Sequence, residues 1–253
     1  MNTGHPTYPH PTIIEAICDI HFRLPESQEW KPSLPGEFFK RIQHEYPEME
    51  PVLEMGLHLE VGPSGTSAKV LPPPQKVRFK HRTRSLVLQL SENALSISVL
   101  PPYQGWNAMR TDALAAWKQL KEVLKPELIS RLGLRYINRI EKETHQDRLG
   151  NWLVATEYIP AAILSSAPGF LLRIETHLDS ENMLIITIGD TKTETENAYG
   201  AMIFDIDCIV EREIIVGQEM LEGEMDRLHG DIWSVFSSAK GARLDALLNR
   251  RQQ

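Results

Sequence analysis

Apolar and polar residues alternate through TIIEAICDIHFRL (12–24), with Ile14, Ala16, Cys18, Ile20, Phe22 and Leu24 on one side and Ile13, Glu15, Ile17, Asp19, His21 and Arg23 on the other. Successive side chains of a strand point to opposite faces, so a period of two marks a strand with one face in a core. The period recurs in KVRFKHR (76–82), SLVLQLS (85–91), ALSISVL (94–100) and RLGLRYINRI (131–140), and again in FLLRIETHLD (170–179), NMLIITIG (182–189) and AMIFDIDCIVER (201–212). Glu92 and Asn93 supply a tight turn between two of these runs. Half-buried strands in quick succession form antiparallel sheets, and the apolar face of such a sheet needs a cover.

Helical periodicity supplies candidates for that cover. Trp106, Met109, Ala113, Trp117, Leu120 and Leu124 recur at helical spacing until Lys125 and Pro126, and both tryptophans read as core. A second long stripe, Leu221, Met225, Leu228, Ile232, Val235 and Phe236, starts near Gly217, and RLDALLNRR is read as its continuation. A short helix is predicted over EFFKRIQHEY (37–46), stopped by Pro47. GLHLEVG (56–62) reads as a strand, the stretch with GPSGTS and LPPP after it as a loop, and 143–165 as irregular.

The order of strand, short helix or loop, several strands and long helix thus occurs twice, over 12–125 and 130–253. The expected architecture is α+β, with pseudo-duplicated halves in one compact unit and antiparallel sheets each covered by a long helix.

At 253 residues the chain can bury a substantial core, and its net charge of −7 opposes non-specific nucleic-acid binding over the whole surface. Cys18 and Cys208, each inside an apolar run, give neither metal spacing nor a disulfide framework and read as buried thiols. No apolar run of membrane-spanning length occurs, and MNTGHPTYPHP has neither the basic nor the apolar region of a signal peptide, so a cytoplasmic protein is expected.

Three stretches, YPHPTIIEAICDIHFRL (8–24), RLGLRYINRI (131–140) and FDIDCIVER (204–212) with the following LHGDIWSVF (228–236), resemble an uncharacterised, sporadically distributed bacterial family. That family opens on Asn-Pro-Pro-Ile-x-Glu-Ala and carries Arg-x-Gly-Leu-Arg-Tyr-Ile-Asn mid-chain. Here His10, Pro11, Thr12 and Ile13 stand where Asn-Pro-Pro-Ile is usual, while Glu15 and Ala16 match. The resemblance implies no particular activity; a sporadic distribution implies mobile or defence-related gene neighbourhoods and a conditional partner.

The charged strand faces are the candidate sites. Arg78 and Lys80 share one face with Lys76 and Arg82, and Arg131, Arg135 and Arg139 share another with Gly133 and Ile137. Exposed, these faces pair with opposite charges on neighbouring strands. Turned inward, they line a cleft for an anion, as in triphosphate-tunnel enzymes, although the Glu-x-Glu-x-Lys pattern of those enzymes is missing here. Asp205 and Asp207, two apart on one strand, could share magnesium or manganese given ligands from elsewhere. His5 and His10 flank a Pro-rich arm suited to docking on a partner, and His229 reads as a core-edge histidine. Neither a phosphate loop nor a serine elbow occurs.

The expected function is a non-enzymatic binding or regulatory protein without a cofactor, with its basic faces toward a protein or nucleic acid. The alternative is a metal-dependent phosphohydrolase or nuclease that uses Asp205 and Asp207 with Arg131, Arg135 and Arg139 on the phosphate.

Overall fold

The computed structural model of the protein describes residues 6–52, 56–62, 65–71, 76–165, 169–191 and 199–250. Along the first half run β1 (Ile13–Arg23), α1 (Leu34–Ile42), β2 (Glu48–Val52), β3 (Gly56–Gly62), β4 (Gly65–Leu71), β5 (Lys76–Lys80), β6 (Leu86–Leu90), β7 (Ala94–Val99) and α2 (Trp106–Leu124). The second half carries β8 (Leu128–Glu141), two short 3-10 turns, β9 (Leu171–His177), β10 (Asn182–Thr191), β11 (Ala201–Val210), β12 (Ile214–Ile215), α3 (Gln218–Ala239) and α4 (Ala242–Leu248). The fold is α+β.

One antiparallel sheet, in the order β2-β5-β6-β7-β1-β8-β11-β10-β9, crosses both halves, with β12 attached to β8. The expectation of separate sheets gives way at its centre, where the long strands β1 and β8 pair from Arg23 opposite Leu128 to Ile13 opposite Asn138. Two long apolar strands leave no edge between the halves, because an unpaired row of backbone groups there would have to be buried without partners.

The alternation predicted for the strands sets the core. Ala16, Cys18, Ile20 and Phe22 of β1, Leu132, Leu134 and Tyr136 of β8, and Phe204, Ile206 and Cys208 of β11 join one buried cluster with the apolar stripes of helices α1 to α4. Helix α3 packs on β8 and β11, and α2 on β7 and α3. Both cysteines are buried and free, and burial pushes their thiols far above the usual range.

Three local expectations are corrected. The first helix starts at Leu34 rather than Glu37 and ends at Ile42, because Pro35 fits its first turn, where an N–H is not needed. Part of the predicted loop, Gly65–Leu71, is a strand paired with β3. The rest of that predicted loop, residues 63–64 of GPSGTS (62–67) and 72–75, which include the prolines of LPPP (71–74), lies outside the described residues, as does His5. The terminal stretch forms its own helix rather than continuing α3. The break falls where the Gly241 N–H donates to the Trp152 carbonyl at 2.9 Å, and Leu153 pairs with Lys240.

Candidate functional site

The second face of the sheet carries all seven charged residues singled out in the sequence. One cross-strand row runs Glu48, Lys80, Val87, Ser98, Ile17, Arg135, Asp207, Ile185, Glu175. The adjoining row runs Glu50, Arg78, Gln89, Ser96, Asp19, Gly133, Ile209, Met183, His177. Lys80 stands four strands from Arg135, about 19 Å at ordinary strand spacing, so the two predicted basic faces do not converge on one ligand-sized site.

The apolar residues buried by the described helices α1 to α4 join the first-face cluster rather than this face. Yet Asp205 is 6% exposed, Ser98 5% and Ile209 3%, and Ile17, Ile137, Ile185 and Ile203 are half-buried. The face is therefore sheltered, with isoleucines interleaved among charges.

Most of those charges already hold one another. Arg135 forks onto Asp205, donating through Nε at 2.9 Å and Nη2 at 2.6 Å. Arg131 donates to His21 Nε2 at 2.9 Å and lies 3.7 Å from Glu211. Arg139 donates to Glu141 at 2.6 Å, Lys80 to Glu50 at 2.7 Å, and Arg173 to Glu175 at 2.7 Å. Ser98 donates to Glu15. Arg78 differs: its buried Nε has no hydrogen-bond partner among the described residues.

This pairing shapes the titration of the face. The hydrogen bonds to Asp205 hold the Arg135 guanidinium above its usual range, despite partial burial. Burial lowers the His21 imidazole, and the Arg131 charge beside it lowers it further. Asp207 is pushed up to about 6 by burial, against the pull of Arg135 and Arg131. Asp205 and Asp207 do flank one another, but the fork from Arg135 occupies Asp205. Among the described residues no three His, Cys, Asp or Glu side chains stand close enough to share a metal ion.

A different site lies on the helix side, and the sequence reading missed it. A cavity of about 170 Å³ opens between the chain before β1, the start of α2, strand β8 and helix α3. Pro11, Thr12 and Ile13 line it beside Tyr136 and Asn138 of β8, Ile206 of β11, and His229, Ile232 and Trp233 of α3. Residues from the segments 8–24, 131–140, 204–212 and 228–236 thus meet at this one place.

The walls are held firmly. The Trp106 ring stacks on His229 with centroids 4.4 Å apart and planes 5° apart, and its Nε1–H donates to Asp226 at 2.8 Å. Arg110 donates to the other oxygen of Asp226 at 2.5 Å. Asn138, only 2% exposed, accepts from Thr12 Oγ1 at 2.9 Å and donates to the Phe204 carbonyl at 3.2 Å. The Tyr103 and Tyr136 hydroxyls pair at 2.8 Å.

The described part of the Pro-rich arm flanked by His5 and His10, from residue 6 onward, lies on its own chain. Tyr8 stacks on Trp233 with centroids 6.0 Å apart, accepts from Lys240 Nζ at 3.0 Å, and is followed by a bond from the His10 N–H to the Leu248 carbonyl at 3.1 Å. His229 is buried as expected, but at a cavity wall rather than at a plain core edge. The signal in the sequence was Asn138, a polar residue on the apolar side of its strand with Tyr136 two before it. A comparison with protein-family models and with curated proteins finds no match to this chain.

Proposed function

We propose that this is a non-enzymatic binding or regulatory protein of the cytoplasm, and that the sheltered second face of the sheet receives a protein partner. The observation that carries the reading is the composition of that face: isoleucines interleaved with charges that are mostly paired already, while the described helices pack their apolar residues on the opposite side. A nucleic acid would have to strip Arg135 from Asp205 and Lys80 from Glu50, in a chain of net charge −7, to gain phosphate contacts. A protein can cover the isoleucines and leave those pairs intact, which is how the apolar centre of a protein interface works. No described helix is long and apolar enough to cross a membrane.

The stretches resembling the sporadic bacterial family support the same reading, since a conditional partner of the kind found in mobile or defence-related neighbourhoods calls for recognition rather than metabolism. We also read the two halves as a duplication. From the centre outward the strand order is β1, β7, β6, β5 on one side, with β2 added at that edge, and β8, β11, β10, β9 on the other, and in chain order each half closes on a long helix. On that reading the face belongs equally to both units, and β1 and β8 form its floor. The metal-dependent alternative has no specific observation in its favour.

The test is capture of partners from the native host by the tagged protein, with and without nuclease. The wild type should retain a discrete protein after nuclease treatment, and Ile17→Gln with Ile185→Gln should lose it while keeping the wild-type melting temperature. Retention by the double variant, or loss of all binding on nuclease treatment, would overturn the reading.

A further inference from the structure

We propose that the cavity beneath the N-terminal arm binds a small, uncharged, planar aromatic molecule with a hydrogen-bond acceptor on its edge. This site is separate from the sheet face and does not rest on the reading of that face. Its size sets the scale of the ligand: about 170 Å³ is close to engineered apolar cavities of about 150 Å³ that take up benzene. One ring or two fused rings therefore fit.

Charge and shape narrow the class. Among the described residues no Asp, Glu, Lys or Arg lines the cavity, so an ionised ligand would lose its hydration without gaining a counter-charge from them. The walls offer flat rings in two groups. Trp106, His229, Tyr136 and Tyr103 form one continuous series of ring contacts, and Tyr8, Trp233 and Phe236 form another. A planar ligand gains both buried area and favourable ring geometry against such walls, which a puckered one cannot match.

The acceptor requirement comes from the hydroxyl pair. Tyr103 and Tyr136 have two protons between them; one serves their mutual bond, and the remaining partner of Tyr136 is the Met109 thioether at 3.9 Å. A thioether is a weak acceptor, so Tyr136 turns its proton to Tyr103 when a ring nitrogen or carbonyl oxygen arrives to accept the proton of Tyr103. The lock on Trp106 through His229, Asp226 and Arg110 keeps its wall in place before any ligand arrives. The arm forms the remaining wall with Tyr8, and release of its contacts with Trp233, Lys240 and Leu248 would admit the molecule.

Quinoline, a neutral fused ring with an edge nitrogen, is the probe, and its 2-carboxylate is the charged control. Titration of the full chain, followed by NMR at the indole N–H signals, should give saturable shifts at Trp106 and Trp233 with a Kd on the order of 0.1–1 mM. The carboxylate should bind at least about tenfold more weakly. Ile232→Phe, which fills the cavity, should abolish the quinoline shifts. Should that variant fail to fold, Tyr103→Phe, which removes one hydroxyl without changing the wall, should weaken quinoline by roughly five- to tenfold, the scale of one hydrogen bond. No saturable shift up to about ten times that Kd, equal binding of the carboxylate, or unchanged affinity in Tyr103→Phe would each overturn the proposal.

Discussion

Asp207 ionises against the fold. Its carboxyl sits at about 6 in the folded protein, against 3.8 for the free side chain, because burial outweighs the two arginines beside it. A raised acid pKa means that the folded state binds the proton more tightly than the unfolded one. The associated stability is present below pH 3.8 and is lost as pH rises through about 6. Asp207→Asn should therefore stabilise the protein by about 1–3 kcal/mol at pH 8 and change little near pH 4. Urea unfolding at the two pH values checks this, and an equal effect at both would contradict the assignment. The sequence placed Asp205 and Asp207 on one face, but it could not show which of them Arg135 would take. In register Arg135 stands directly opposite Asp207, yet its fork closes on the diagonal neighbour Asp205. That choice depends on side-chain reach and burial across strands 70 residues apart in sequence, which no local pattern encodes.

At the level of elements, periodicity was readable wherever a segment had one face to bury. The apolar stripes of α2 and α3 and the alternation of β1, β8 and β11 fall where the sequence placed them, because each buries a full row of side chains. Gly65–Leu71 lacks that alternation, and its strand is defined by pairing with β3 alone. The end of α3 was likewise set by a tertiary contact. A Cβ on Gly241 would stand 2.7 Å from the Trp152 carbonyl oxygen, backbone against backbone, so the bridge between Leu153 and Lys240 requires glycine here. Gly241→Ala should lower stability by about 1–3 kcal/mol, read as a fall of a few degrees in melting temperature. A melting temperature unchanged within a degree would show that the junction yields easily.

Across the whole molecule, the two faces of one sheet are used differently. The helix side holds the core and encloses the aromatic cavity, where residues far apart in sequence, Tyr8, Tyr103, Tyr136 and Trp233, converge. Each of these reads in isolation as an ordinary core aromatic, so the cavity becomes visible only once the arm, β8 and α3 are brought together. The other side presents the charged rows, and joining the halves through β1 and β8 turned the arginine strand of the sequence into the centre of that face.

Site-specific photo-cross-linking in the native host tests that use of the face most directly, with the photoreactive residue at position 17 on β1 and, as a control, at the exposed position 118 on α2. The account predicts a discrete protein adduct from position 17 that is missing from position 118. The same products from both positions, or a nucleic-acid adduct from position 17, would contradict it.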